Sequence, residues 1–207
     1  MNSDLILRTN ELENAIDYLE KVTYYFSNRS DDYWFKWLMI SLHGALYGFG
    51  VCAIKGTSSE RVIEIKLKQT KFELKKQEIA QLYQNEFDIT LEDEVLEATA
   101  RYNIGQLLGI WEVIKYCESK AFMMQNNESK YLVLTPNQKR AIKKMVDYRN
   151  DFAHFKPKSI SVITQSEEWI IKEVVEVIEF LSLKSGNVFY PEVRVRRKVS
   201  GLINLFS

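Results

Sequence analysis

TPNQKRAIKKMVDYRNDFAH, residues 135–154, is the stretch that decides how this chain folds. Thr135 and Gln138 flank Pro136 and Asn137 in a capping box. The threonine hydroxyl accepts from the N3 amide, the N3 side chain reaches back to the cap, and proline's fixed φ suits the first helical position. The spacing predicts a helix over about 136–153, with Pro157 marking its end. On a wheel of about 100° per residue with Arg149 at zero, Ile142, Met145, Val146, Phe152 and Ala153 fall within about 60° of it. An arginine at the centre of an apolar face must reach a partner, because an unpaired buried charge is costly. Lys139, Lys143, Asn150 and His154 make a polar stripe at roughly 80–140° on the same wheel. Arg149 and His154 therefore converge only if the helix ends or bends near Ala153, or if each reaches a cleft shared with another element.

Outward from this helix the pattern stays helical. Thr164-Gln165-Ser166-Glu167 reads as a second capping box, and Ile170, Val174, Val177, Ile178 and Leu181 form one stripe after it, with Gly186 suited to the C-cap. Asn10 caps a helix over 10–29 whose apolar positions are Leu12, Ile16, Leu19 and Val22 or Thr23. Residues 33–55 are the most apolar segment, and His43 is the strongly polar side chain between Trp37 and Ile54. That length approaches the roughly 20 residues of a membrane span. The charged, amphipathic remainder favours a bundle helix buried on nearly all sides. His43 reads as a core or rim histidine. Gly44 and Gly48 share a face, with Ser41 and Cys52 beside it, where another helix can approach closely, within the bundle or across a dimer.

The middle of the chain is less regular. Residues 59–85 predict a charged helix or helix pair carrying Lys66, Lys68, Lys71, Lys75 and Lys76, read as a solvated face in preference to a binding patch. Residues 86–118 hold eight acidic side chains against Arg101 and Lys115. A helix is expected over 92–118, weakened by Gly105 and Gly109. A polar connection over 119–134 ends in the short apolar run Tyr131 to Leu134. In Val193-Arg194-Val195-Arg196-Arg197-Lys198-Val199 the alternation suggests an extended, irregular C-terminal tail over about 187–207.

Composition supports this and narrows the function. The 207 residues carry 28 Lys+Arg and 28 Asp+Glu, so a uniformly basic nucleic-acid coat is excluded while a local basic face is not. Only 8 Gly and 3 Pro disfavour a turn-rich sandwich or barrel. The expected architecture is one all-α domain, an up-and-down helical bundle, over 1–207. Cys52 and Cys117 are too few for a zinc ribbon or a disulfide framework and read as buried thiols of a reducing cytoplasm. With His43 and His154 alone, a tri-histidine metal site within one chain is excluded. No metal and no cofactor are expected. The polar start, Met1-Asn2-Ser3-Asp4, lacks the pattern of a secretory signal, so a cytoplasmic location away from membranes is expected.

Arg149-Asn150-Asp151-Phe152-Ala153-His154 resembles the R-[N/D/H]-x-x-x-H motif of HEPN domains (higher eukaryotes and prokaryotes nucleotide-binding). The resemblance extends to the capped helix before the motif, Phe155-Lys156-Pro157 after it, and the long helix that follows. It covers residues 132–185 closely, and 33–55 more loosely as an earlier bundle helix. It implies a homodimer in which two motifs face each other and cleave RNA without metal, as a toxin or phage-defence effector. Carried over residue by residue, Arg149, Asn150 and His154 are the catalytic candidates. His154 would move a proton to or from the ribose. Arg149 would stabilise charge on the phosphorane. Asn150 would orient the imidazole or the phosphate. Lys139, Lys143 and Lys156 would contact RNA.

Residues 135–158 carry seven Lys/Arg against two Asp, and 186–207 four against one Glu. If the two segments adjoin, they make a phosphate-attracting surface. The compensating acidic regions also suit a partner that binds the basic side, as an antitoxin or regulatory protein would. The family includes catalytically silent dimers that bind nucleotide or assemble with a partner. That is the alternative here, with Arg149 paired to an acidic residue of 86–118 and His154 capping its helix.

Overall fold

Asn10 starts the first helix through the capping box its position promises. Its side-chain oxygen accepts from the Glu13 amide at 2.9 Å, and the Glu13 carboxylate accepts from the Asn10 amide at 3.1 Å. The computed structural model describes residues 9–56, 58–154 and 159–206. Helices α1 (Glu11–Ser27) and α2 (Trp34–Lys55) are followed by a short strand β1 (Ile63–Glu64) and helices α3 (Gln69–Phe87) and α4 (Asp93–Ile104). Strand β2 (Gln106–Leu107) then leads into α5 (Ile110–Cys117), the single turn α6 (Lys120–Met123), α7 (Pro136–Ala153), α8 (Glu168–Glu179) and α9 (Val193–Ile203). Among the described residues the protein is all-α apart from the two-stranded β1–β2 pair.

The chain falls into two compact units. Residues up to Gly56 and from Val113 onward form one, and Thr57–Glu112 the other. In the larger unit α2 packs against α1, α7 and α8, and α9 lies on α1 and α8. Leu38, Met39, Leu42, Ala45, Leu46 and Phe49 of α2 are fully buried. Its length and apolarity would span a membrane, yet 67% of its most apolar stretch is buried inside the fold. Here it serves as the axis of the bundle.

Gly44 and Gly48 let α1 lie close against α2. A Cβ on Gly48 would run into the Cβ of Ala15, and one on Gly44 into the ring of Tyr18. The small-residue face of α2 is thus spent inside the chain, on α1, which runs antiparallel to it. Lys144 opposite Glu167 and Gln138 opposite Glu176 show α7 and α8 antiparallel as well.

Several expectations are corrected. The C-terminal segment is helical from Val193 to Ile203. Three alternating residues suggested extension, but Val195, Val199, Leu202, Ile203 and Phe206 form an i, i+4, i+7, i+8, i+11 stripe that turns inward. The helix expected over 92–118 breaks at Gly105. A Cβ there would collide with Ile63 and with the Arg101 carbonyl, so glycine lets β2 close on β1 in the register Ile63↔Leu107 and Glu64↔Gln106. Residues 59–64 form a 3-10 turn and β1, and the basic helix begins only at Gln69. The second capping box does not form. Thr164–Glu167 is a 3-10 turn, and the Glu167 carboxylate is taken by Lys144. At the other end of α8, Gly186 takes a positive φ of 76° after a π-helical turn over 180–184.

Candidate functional site at the end of helix α7

Helix α7 forms as its sequence requires. Thr135 and Gln138 complete the capping box, and Ala141, Ile142, Met145 and Val146 are buried. The helix ends at Ala153, and His154 is its C-cap in extended backbone, φ −104° and ψ 132°. The helix thus ends at the point where an ending would let Arg149 and His154 converge.

Asn150 ties the motif together. Its side-chain oxygen accepts from Arg149 Nη1 at 3.0 Å, and its backbone carbonyl accepts from the His154 amide at 3.2 Å. Arg149 is half-buried and makes no ion pair among the described residues. His154 is exposed. Phe152, expected on the buried face, instead stacks on Tyr148 and meets Phe35 of α2 edge-on, with ring centroids at 5.9 and 6.3 Å. This aromatic cluster anchors the last turn of α7 to the start of α2.

His43 is the residue that sequence reading left outside the site. It lies half-buried on α2, its ring stacked on Tyr47 with centroids 6.3 Å apart. Burial, and then the charge of Arg149, push its pKa down to about 4. A neutral imidazole thus sits in the field of the Arg149 guanidinium. The usable signal was its isolation in an apolar helix, since a lone polar side chain on a core helix needs a polar neighbour.

The three lysines fare differently. Lys139 is in the first turn of α7, about 15 Å along the axis from Arg149, and pairs with Glu118 at 3.3 Å. Lys143 is exposed and pairs weakly with Asp147 at 3.5 Å. Lys156 lies outside the described residues. The structure instead commits Lys144, which grips Glu167 through both carboxylate oxygens at 2.6 and 2.8 Å. Burial, and then the charge of Glu167, push the Tyr148 hydroxyl above its ordinary pKa. The other basic segment, α9, is carried mainly on α1 and α8.

Among the described residues no group of three His, Cys, Asp or Glu side chains could hold a metal ion. No family model, no curated protein and no solved structure matches this chain.

Proposed function

We propose that this chain is a metal-independent endoribonuclease of HEPN type that works as a homodimer on RNA. The observation that carries the reading is the state of Arg149: half-buried, oriented by Asn150, and without a carboxylate partner among the described residues. A guanidinium held in that way offers a fork of donors to a phosphate. Asn150 holds Arg149 with its side chain and the His154 backbone with its carbonyl, so the three motif residues are mechanically linked.

In the reaction, His154 accepts the proton of the ribose 2′-hydroxyl. The 2′-oxygen attacks phosphorus, the bond to the 5′-oxygen breaks, and that oxygen takes a proton from the His154 of a second copy. The products are a 2′,3′-cyclic phosphate and a free 5′-hydroxyl, which requires RNA and excludes DNA. Arg149 stabilises the charge that builds on the phosphorane.

A mixed RNA pool incubated in EDTA with wild type and with His154→Ala tests this. Cleavage by wild type alone, leaving cyclic-phosphate ends, is expected. A wild type that leaves every RNA intact overturns it and leaves the silent nucleotide-binding or assembly dimer as the reading.

A further inference from the structure

Helices α3 and α4 form an antiparallel hairpin: Lys76 pairs with Glu97 at 3.0 Å, and the Arg101 guanidinium lies over the Phe72 ring at 6.0 Å. It is poorly filled. Of the 19 residues of α3 only Phe72 is buried, while Leu74, Leu82 and Phe87 are more than half exposed. A helix with so little burial gains little from its own chain.

The exposed residues are ordered. Lys68, Lys71, Lys75, Glu78, Leu82 and Glu86 recur at i, i+3, i+7, i+10, i+14 and i+18 and lie along one side of α3, all exposed. Charge along this stripe is segregated, with three lysines at its start and glutamates at its middle and end. Beyond it, Asp88, Glu92, Asp93 and Glu94 continue the negative end at the hairpin tip. Among the described residues, none of the stripe's five charged side chains makes an ion pair. Lys68 and Glu86 are about 27 Å apart along the axis and cannot reach each other within one chain.

A stripe with these properties is complementary to itself. Turned end for end, Lys68 meets Glu86, Lys75 meets Glu78, and the stem of Lys71 covers Leu82, each contact occurring twice about a two-fold axis. We propose that α3 is a self-association surface whose occupant is α3 of a second copy of this chain, packed antiparallel. The inference is independent of the nuclease reading, because it uses no residue of the α7 motif.

Charge exchange tests it by sedimentation of the whole chain. Wild type should sediment at micromolar concentration as a heavier species in low salt than in 1 M salt, where the dissociation constant of this contact should rise more than tenfold. Lys68→Glu with Lys75→Glu should sediment as a lighter species than wild type, and so should Glu78→Lys with Glu86→Lys, whatever contact α7 adds. Mixing the two variants should restore the wild-type mass, because every charge contact is then between opposite signs; this arm also shows that both variants are folded. The proposal is overturned by a monomeric wild type, by either variant keeping the wild-type mass, or by a mixture that stays at the mass of the separate variants. RNA cleavage by wild type is scored separately, so the two readings fail independently.

Discussion

Arg149 donates to the side-chain oxygen of Asn150, its neighbour in the chain, across 3.0 Å, while the backbone of the same Asn150 holds the amide of His154. Adjacent residues on a helix point about 100° apart, so this contact turns the guanidinium sideways and fixes its plane. Replacing Asn150 with Ala frees the arginine without removing it. In the proposed nuclease, turnover should then fall by about 10-fold or more, with RNA binding still measurable. Arg149→Lys should be more severe, because an ammonium cannot reproduce the fork. Single-turnover cleavage beside RNA anisotropy separates the two effects.

His43 supplies a pH dependence. Its pKa is about 4 in the fold against 6.5 unperturbed, so between these values the unfolded chain binds a proton that the native chain does not. Stability therefore rises with pH across this window. The contribution is fully present above about pH 6.5 and is lost as pH falls through about 4, by up to about 3 kcal/mol. Urea unfolding of wild type against His43→Gln from pH 4 to 7 should show the difference. Arg149→Met should raise the His43 midpoint in an NMR titration, since one of the two causes is removed.

Three glycines in helices should respond with opposite signs. Gly48→Ala and Gly44→Ala place a Cβ against Ala15 and the Tyr18 ring, and overpacking should cost about 1–3 kcal/mol despite better helix propensity. At Gly201 of α9 nothing lies within 4 Å of an added Cβ. Gly201→Ala should stabilise by about 0.5–1 kcal/mol. Chemical denaturation of the three variants decides it.

Lys144→Ala strands the Glu167 carboxylate, which is 12% exposed. The loss should be about 1–3 kcal/mol. Glu167→Gln should cost less, because the lysine is 43% exposed and can turn to water. Thermal melts of the two variants measure the asymmetry.

Burial pushes the Cys52 and Cys117 thiols up to about 12. Neither should react readily with a disulfide reagent at pH 8 in the native protein, because the thiolate is the nucleophile. Both should titrate at once in guanidinium. Fast labelling of the native state would mean that the bundle opens locally around α2 or α5.

What could be read directly was what local chemistry controls. Asn10 with Glu13, and Thr135 with Gln138, place two helix starts because each cap uses residues three apart. The long apolar run of α2, broken by His43 alone among strongly polar side chains from Trp37 to Ile54, marks the bundle axis because a helix with so little polar face has to be covered. The R-N-x-x-x-H spacing was visible for the same reason, as six consecutive residues.

Tertiary structure decided the rest wherever a distant neighbour outweighed the local signal. Glu167 gave up its place in a capping box to Lys144, 23 residues away. The helix expected over 92–118 broke because Gly105 admits Ile63. The tail became α9 because Val199 and Ile203 found α1 and α8 to cover them. Above all, His43 came into the field of Arg149, 106 positions along the chain, through the packing of α2 on α7. The cause is the same throughout: a side chain's hydrogen-bonding and charge requirements are written in its type, but which group meets them depends on which surfaces the core brings together.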